Sequence, residues 1–189
     1  GWIVGYNELV LATGARDLAI GFPGWNQPGV MGAAALERLL AHYEAFAGKR
    51  ILIVGSHDLA LETALLAREK GVEVAGLVEV RSAPQGQEAL AEAIRAAQIP
   101  FYLEDAPAEA IGGIDGVEKV RLRSGAEIAV DTIVLAIGLV PSIELIDAMG
   151  GKRVLDGARG GYIPGENDGV TCVGDCAGLA DTGFDHVAY

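Results

Sequence analysis

The stretch ILIVGSHDLA, residues 51–60, decides the fold of this chain. Its first four residues are aliphatic and predict a fully buried strand. Gly55 follows, and residues 58–70 then carry the apolar spacing of a helix, with Asp58 at its start and Lys70 at its end, as the helix dipole favours. A buried strand, a glycine turn and a helix predict the beginning of a β–α–β unit.

The alternation of strands and helices continues on both sides of this stretch. Four further apolar segments predict strands, at residues 8–12, 72–80, 99–104 and 131–138, and two amphipathic segments predict helices, at residues 33–46 and 89–97. Strands that are apolar throughout are typical of a parallel sheet that is covered on both faces. Two short segments on either side of Gly125 predict a small antiparallel hairpin.

These elements predict an α/β fold. We expect a Rossmann-like parallel sheet with helices on both faces and a small antiparallel hairpin layer, extending over residues 29–140. Residues 1–28 and 141–189 flank this domain. In the second flank, residues 141–151 predict a short helix and residues 161–181 a strand–turn–helix.

Composition and charge limit the classes of function. The formal net charge is −12 and the pI is near 4.6, so we expect no nucleic acid partner, because phosphates would be repelled. No apolar stretch reaches the roughly 18 residues of a membrane helix, and no signal peptide is recognisable, so we expect a cytoplasmic protein. The chain begins GWIVGYNELV, without Met, which we interpret as a start inside a longer protein.

Few side chains predict chemistry of their own. Cys172 and Cys176 have neither a metal-site nor a thioredoxin-like spacing, and we expect small, buried, reduced cysteines. His42 is expected on the surface, and His186 lies near the end of the chain without an assignable role. We assign no catalytic residue and no metal ligand.

The turn GSHDLA resembles the dinucleotide fingerprint G-x-G-x-x-G/A only in part. Gly55 keeps the first position, and Ala60 satisfies the third. His57 replaces the glycine that lets the backbone approach a diphosphate, so its imidazole either blocks the site or, when protonated, helps to hold a phosphate. A turn that supports the fold without any ligand is the third possibility. We expect poor binding of NADH.

Glu79, in contrast, supports binding of a nicotinamide dinucleotide. It ends the second strand of the unit, 24 positions after Gly55, where an acid accepts hydrogen bonds from the adenosine ribose. A working site would then prefer NAD to NADP, even though Arg81 is nearby. The alternative is a solvated glutamate at the end of a strand.

Three motifs in order carry a resemblance to a known family: LVLATGAR at 9–16, IVLAIGLVPS at 133–142 and GVTCVGDCAG at 169–178. Together they resemble the flavoproteins with two dinucleotide-binding domains, the glutathione-reductase-like or pyridine nucleotide-disulfide oxidoreductases. In that family an FAD domain is interrupted by an NAD(P) domain. The resemblance implies that residues 1–28 and 141–189 are parts of an FAD-binding domain, and that the chain by itself holds little or no FAD.

The resemblance also implies roles for individual residues. Asp175 would accept a hydrogen bond from the ribitol of FAD, with a plain helix N-cap as the alternative. Candidate FAD-binding residues are Ala12, Thr13, Gly14, Gly174 and Asp175. Candidate NAD-binding residues are Gly55, His57, Ala60, Glu79 and Gly138.

A narrower likeness lies in GFPGWNQPGVMGAAALERLL, residues 21–40. It is similar to the amine- and imino-acid-oxidising branch, which includes subunits of sarcosine oxidase, opine oxidase and hydrogen cyanide synthase. This implies an FAD-dependent oxidoreductase that oxidises a small amine or imino acid and works with other subunits of a hetero-oligomer. An NADH-dependent flavoprotein reductase and a non-catalytic scaffold subunit with a degenerate dinucleotide site are the alternatives.

Overall fold

The computed structural model describes residues 5–179 of the chain. Within this range the α-helices, α1 to α4, are Ala33–Arg38, Asp58–Glu69, Glu88–Ala96 and Glu144–Ala148. The strands, β1 to β14, are Leu9–Leu11, Ala15–Asp17, Val30–Gly32, Arg50–Val54, Glu73–Glu79, Phe101–Leu103, Pro107–Gly113, Gly116–Leu122, Glu127–Ala129, Thr132–Leu135, Leu139–Pro141, Arg153–Asp156, Gly161–Pro164 and Val170–Cys172.

The chain divides into two compact units. The first combines Gly1–Arg16 with Leu139–Tyr189, and the second is the continuous segment Asp17–Gly138. The sequence analysis assigned residues 17–28 to the first flank, whereas the structure groups them with the second unit. The reason is packing: Phe22 is buried in the core of the second unit, and the carbonyl of Pro23 accepts a hydrogen bond from the N–H of Ala110.

A five-stranded parallel sheet forms the centre of the second unit. Its strand order is β3-β10-β4-β5-β6, and each neighbouring pair is parallel. Ile133 of β10 lies between Val30 of β3 and Leu52 of β4. The prediction of a parallel sheet from apolar strands is therefore confirmed.

Successive residues of a strand point to opposite faces, so this sheet has two separate cores. Ile51 and Ile53 of β4 pack on the face that carries α1, α2 and α3. Leu52 and Val54 pack on the other face, against buried residues of β7, β8 and β9. These three strands form an antiparallel sheet of order β7-β8-β9.

The α/β class with its small antiparallel layer is confirmed, but the covering layers are distributed differently from our expectation of helices on both faces. Among the described residues, the three helices of this unit share one face, and the antiparallel sheet covers the other. The sequence analysis recognised the hairpin of β8 and β9 but missed β7. Its sequence, PAEAIGG, is rich in residues of low strand propensity, so its structure depends on pairing with β8.

The helix expected over residues 33–46 is shorter in the structure. α1 ends at Arg38, and Leu39–Tyr43 continue as one π-helical turn. Leu40 is buried, whereas Tyr43 is 70% exposed, because the wider turn rotates it away from the core face. None of the helices within residues 5–179 has the length and apolar character needed to cross a bilayer.

The described part of the first unit is built from two-stranded sheets. β1 pairs in parallel with β14, β2 pairs with β11, and β12 pairs antiparallel with β13. The helix expected at the end of residues 161–181 is a 3₁₀ turn, Gly174–Ala177, over the described residues. Because β1 and β14 are parallel, the segments that follow them, 12–14 and 173–175, leave the same end of this small sheet.

Candidate functional site

Gly55 forms the turn between β4 and α2. Its φ is +117°, and a Cβ at this position would lie 2.3 Å from the carbonyl oxygen of Ala136. Its N–H donates a hydrogen bond of 2.8 Å to the carbonyl of Val78 on β5. Both the conformation and the lack of space therefore require glycine, and the tight turn expected here is present.

His57 immediately precedes α2, in the position of the second glycine of the fingerprint. Its backbone is extended, with φ −73° and ψ 173°, so the turn itself does not need glycine here. Burial lowers the pKa of His57 below its usual value near 6.5 and outweighs the carboxylate of Glu79, which raises it. Burial therefore disfavours the protonated imidazole that a phosphate contact would use.

Asp58 is the first residue of α2, and its carboxylate is bonded within the chain. One oxygen accepts the backbone N–H of Gln87 and the other accepts its side-chain amide, each at 2.7 Å. These bonds favour the ionised form and hold the pKa of Asp58 below its ordinary value. An anionic group therefore lies at the helix start, which in a dinucleotide site faces the diphosphate.

Glu79 ends β5 with its side chain inside the protein, only 1% of the residue being exposed. The hydroxyl of Ser56 donates to one carboxylate oxygen at 2.5 Å, and the backbone N–H of Arg81 donates to the other at 3.0 Å. The alternative of a solvated glutamate is therefore wrong. Both oxygens that could accept ribose hydroxyls already have donors from the chain itself.

The segment after β5 folds back onto the β4–α2 turn. The N–H groups of Gln85 and Gly86 donate to the carbonyl of Ser56 at 3.2 and 2.8 Å, and that of Gln85 also lies 3.0 Å from the Ser56 hydroxyl. A Cβ on Gly86 would meet the side chains of Leu61 and Asp58 at 2.6 and 2.7 Å. This segment is therefore in close contact with the first turn of α2.

Four of the five NAD candidates lie around the β4–α2 turn. The fifth, Gly138, has no described contact with this turn. Gly55, His57 and Glu79 lie at the ends of neighbouring strands, and Ala60 is fully buried on the inner face of α2. Gly138 follows β10 and accepts a hydrogen bond from the N–H of Leu18. The sequence analysis missed Ser56, whose position between Gly55 and His57 was the available signal.

Three FAD candidates, Ala12, Thr13 and Gly14, continue from β1. The hydroxyl of Thr13 donates to the carbonyl of Ser142 at 2.7 Å, and the N–H of Ser142 donates to the carbonyl of Gly14 at 2.9 Å. Gly14 has φ +68°, and no described atom lies within 4 Å of the position of a Cβ. The glycine therefore makes a turn with open space beside it.

Gly174 and Asp175 follow β14 at the same end of the sheet. Gly174 has φ +71° and open space at its Cβ position, and Asp175 is exposed. The N-cap of the described 3₁₀ turn is Val173, without a side-chain capping bond, so Asp175 does not cap this turn. Within the described residues, its carboxylate accepts no hydrogen bond.

The two cysteines lie at this same end. Both are free thiols, but only Cys176 is buried, whereas Cys172 is partly exposed. The Cys176 sulfur lies 3.3 Å from the carbonyl of Leu11 and 3.2 Å from that of Val173. The expectation of two buried thiols therefore holds for Cys176 alone.

The Rossmann-like unit, Asp17–Gly138, is inserted in the chain between two segments that pair with each other through β1 and β14. Residues 2–188 match the family described as pyridine nucleotide-disulphide oxidoreductase. The chain belongs to this family, whose members are FAD-dependent oxidoreductases that bind FAD and NAD(P)H. The recognition based on the three sequence motifs is thereby confirmed.

The chain is similar to curated enzymes of several kinds. It is 31% identical to rhodocoxin reductase of Rhodococcus erythropolis, over 91% of this chain and 42% of the relative. It is 29% identical to sarcosine oxidase subunit alpha of Rhizobium meliloti, over 97% of this chain and 18% of the relative. Subunits of opine oxidase and hydrogen cyanide synthase also match. The chain thus spans less than half the length of these relatives.

A solved structure has the same fold. An FAD-dependent pyridine nucleotide-disulphide oxidoreductase from Desulfovibrio vulgaris superposes with a TM-score of 0.72 and 21% identity, over 92% of this chain and 46% of that chain. This likeness supports the α/β architecture described above.

The two cofactors of the family fit the described residues unequally. At 12–14 and 174–175, open glycine turns and an exposed carboxylate are suited to a flavin nucleotide with its ribitol hydroxyls. At 55–60 and 79, the carboxylate at the start of α2, His57 in the place of the second glycine and the burial of Glu79 depart from what the fingerprint requires of a dinucleotide site.

Proposed function

We propose that the chain is part of a flavoprotein that oxidises a small amine or imino acid and does not use NADH as its electron donor. FAD would supply the redox chemistry when bound, as the cofactor does in flavoenzymes generally. Residues 12–14 and 174–175 would hold it, with Asp175 accepting a hydroxyl hydrogen bond. The protein would act together with other subunits.

The observation that carries this proposal is the hydrogen bonding of Glu79. A ribose hydroxyl could reach Glu79 only by opening a carboxylate site that is 1% exposed and already bonded to the Ser56 hydroxyl and the N–H of Arg81. Its carboxylate is buried, and losing a donor there is costly, about 1–3 kcal/mol. The charge of Asp58 at the helix start also disfavours NADH, because it repels a diphosphate.

Relatives support the choice of substrate class. One relative is sarcosine oxidase subunit alpha, and sarcosine is an N-methyl amino acid. Another is a subunit of opine oxidase. These names also support the inference that the protein works as one subunit of a larger enzyme.

A second candidate is an NADH-dependent flavoprotein reductase. The observation in its favour is the 31% identity to rhodocoxin reductase. In that case Gly55 and Glu79 would form a working NADH site after rearrangement of the Ser56 hydroxyl.

Anaerobic reduction of the flavin-loaded flavoprotein that contains this chain separates these candidates. The flavin absorbance is recorded after addition of sarcosine, L-proline, NADH or NADPH, and dithionite defines full reduction. We expect bleaching by an amine or imino acid and none by the nicotinamide nucleotides.

Two outcomes would contradict the proposal. Rapid bleaching by NADH would establish the reductase. Inertness towards every donor, although dithionite still reduces the flavin, would favour a scaffold subunit. The Asp58→Asn variant is a useful companion, because a gain of reduction by NADH would identify the helix-start charge as the barrier.

A further inference from the structure

The strand β12 has one free edge. Within the described residues its strand partner is β13 alone, and the two pair in antiparallel register. The pairing extends one residue further, to Lys152, whose carbonyl accepts the N–H of Gly165 at 2.8 Å. The opposite edge of β12 borders no strand of the described part of the chain.

The antiparallel pattern determines which backbone groups face this free edge. Hydrogen-bonded and non-hydrogen-bonded positions alternate, so the bond to Lys152 puts Arg153 and Leu155 in non-hydrogen-bonded positions. Pro164, which has no N–H, lies opposite Arg153 and fits this assignment. The N–H and C=O groups of Arg153 and Leu155 therefore point away from β13, and no hydrogen bond to them is found within residues 5–179.

The side chains beside these backbone groups are largely exposed. Val154 is 53% exposed, and Leu155 and Tyr162, which lie opposite each other, are 67% and 52% exposed. The guanidinium of Arg153 is held in place, because it contacts the Asp147 carboxylate and lies over the ring of Tyr162. Apolar side chains thus accompany unbonded backbone groups, a combination that another strand can cover.

We propose that a second copy of this chain binds at this edge, with its β12 antiparallel to the first. In the register that places Val154 opposite Val154 of the second copy, Arg153 lies opposite Leu155 of that copy. The outward N–H and C=O groups of both strands then all find partners. The same register places Lys152 opposite Asp156 of the second copy, and two-fold symmetry repeats this pair of opposite charges.

The charges select this register over its neighbours. Moving the two-fold axis to Arg153 would place two arginines opposite each other, which is destabilising. Moving it to Leu155 would place Val154 opposite Asp156 and leave Lys152 without a carboxylate. A strand of four residues buries little surface, so we expect a weak dimer whose population depends on concentration.

Sedimentation velocity of the flavoprotein that contains this chain, over a range of concentrations, tests for this dimer. Lys152→Asp and Asp156→Lys each place like charges opposite each other and should weaken dimerisation about tenfold or more. An equimolar mixture of the two variants should dimerise again, because each carboxylate of one then faces an ammonium of the other. Arg123→Asp, in the exposed loop between β8 and β9, is the control and should leave the dimer unchanged.

Leu155→Pro tests the backbone contact without changing charge. It removes an N–H that points away from β13, which an edge strand tolerates, so the variant should fold yet remain monomeric. A native protein that is monomeric at every concentration, or a dimer that survives Leu155→Pro and both charge reversals, would overturn the proposal. So would two folded charge variants that fail to associate when mixed. If Asp156→Lys does not fold, because the Asp156 carboxylate accepts the N–H of Ala158, Lys152→Asp and Leu155→Pro still decide.

Discussion

At the scale of single residues, the hydroxyl of Ser56 links the two parts of the expected dinucleotide site. It donates to Glu79 and receives the N–H of Gln85. Removing this hydroxyl leaves a buried carboxylate oxygen without its donor. We expect Ser56→Ala to lower the free energy of unfolding by about 1–3 kcal/mol.

Urea denaturation of this variant measures the loss. Ser82→Ala is the matched control, because Ser82 lies in the segment after β5 but is exposed. Equal unfolding free energies for the two variants would show that the bond to Glu79 contributes nothing to stability.

Asp58 gives a prediction about pH. The donors of Gln87 lower its pKa in the folded state, so the ionised carboxylate stabilises the fold above its unfolded pKa of about 3.9. This contribution is lost as the pH falls through the folded pKa. Asp58→Asn should therefore be less stable than the native chain at pH 7, and the difference should shrink below about pH 4.

Chemical denaturation at several pH values gives this difference directly. Asp115→Asn, in the exposed turn between β7 and β8, removes the same charge elsewhere. A difference for Asp58→Asn that stays constant down to acidic pH would argue against the ionised carboxylate as its cause.

Asp175 gives the residue-scale prediction for the flavin. A hydrogen bond to a charged acceptor contributes roughly 1.5–3 kcal/mol, so Asp175→Ala should weaken FAD retention by about ten- to a hundredfold. Flavin content after dialysis of the flavoprotein that contains this chain measures this. Asp168→Ala removes an exposed carboxylate just before β14 and should keep its flavin. Equal retention in both variants would mean that Asp175 does not bind FAD.

At the scale of elements, the β4–α2 turn depends on Gly55. Gly55→Ala combines an unfavourable φ with a clash against the Ala136 carbonyl, and we expect a loss of about 2 kcal/mol or more in unfolding free energy. Gly125→Ala is the matched control, because its φ of +92° is also left-handed but its Cβ position is open. Thermal unfolding of both variants separates the effect of the clash from that of the backbone angle. Equal losses of unfolding free energy would show that the clash contributes nothing.

The elements that sequence predicted well are those whose own residues determine them. α2 and β4 have continuous apolar patterns, and the structure has them within a residue or two of the predicted bounds. β7 was missed because its pairing with β8 stabilises it more than its own propensity does. The π turn after α1 was also missed, because its residues have ordinary helical spacing.

The candidate site was predictable in position but not in its hydrogen bonds. Gly55 and Glu79 marked the ends of neighbouring strands from the sequence alone. That Glu79 is buried and bonded to Ser56 depends on how the segment 80–87 folds back, which no local pattern encodes. Likewise, the contact of Cys176 with Leu11 joins residues far apart in the chain.

At the scale of the whole molecule, the two units differ in the size of the sheets and hydrophobic cores that stabilise them. Asp17–Gly138 has a core on each face of its sheet, whereas the described sheets of the other unit have two strands each. We therefore expect the excised segment 17–138 to fold by itself. Circular dichroism and a single cooperative urea transition would verify this, and a broad, non-cooperative transition would refute it.

The strand order of the parallel sheet also has a consequence for synthesis on the ribosome. β10 lies between β3 and β4, yet it is made long after both of them. At 5–20 residues per second, on the order of ten seconds pass between the emergence of β4 and that of β10. During this interval two apolar strand edges face an empty position, so the nascent chain passes through a stage at which a chaperone, or another nascent chain, can occupy that place.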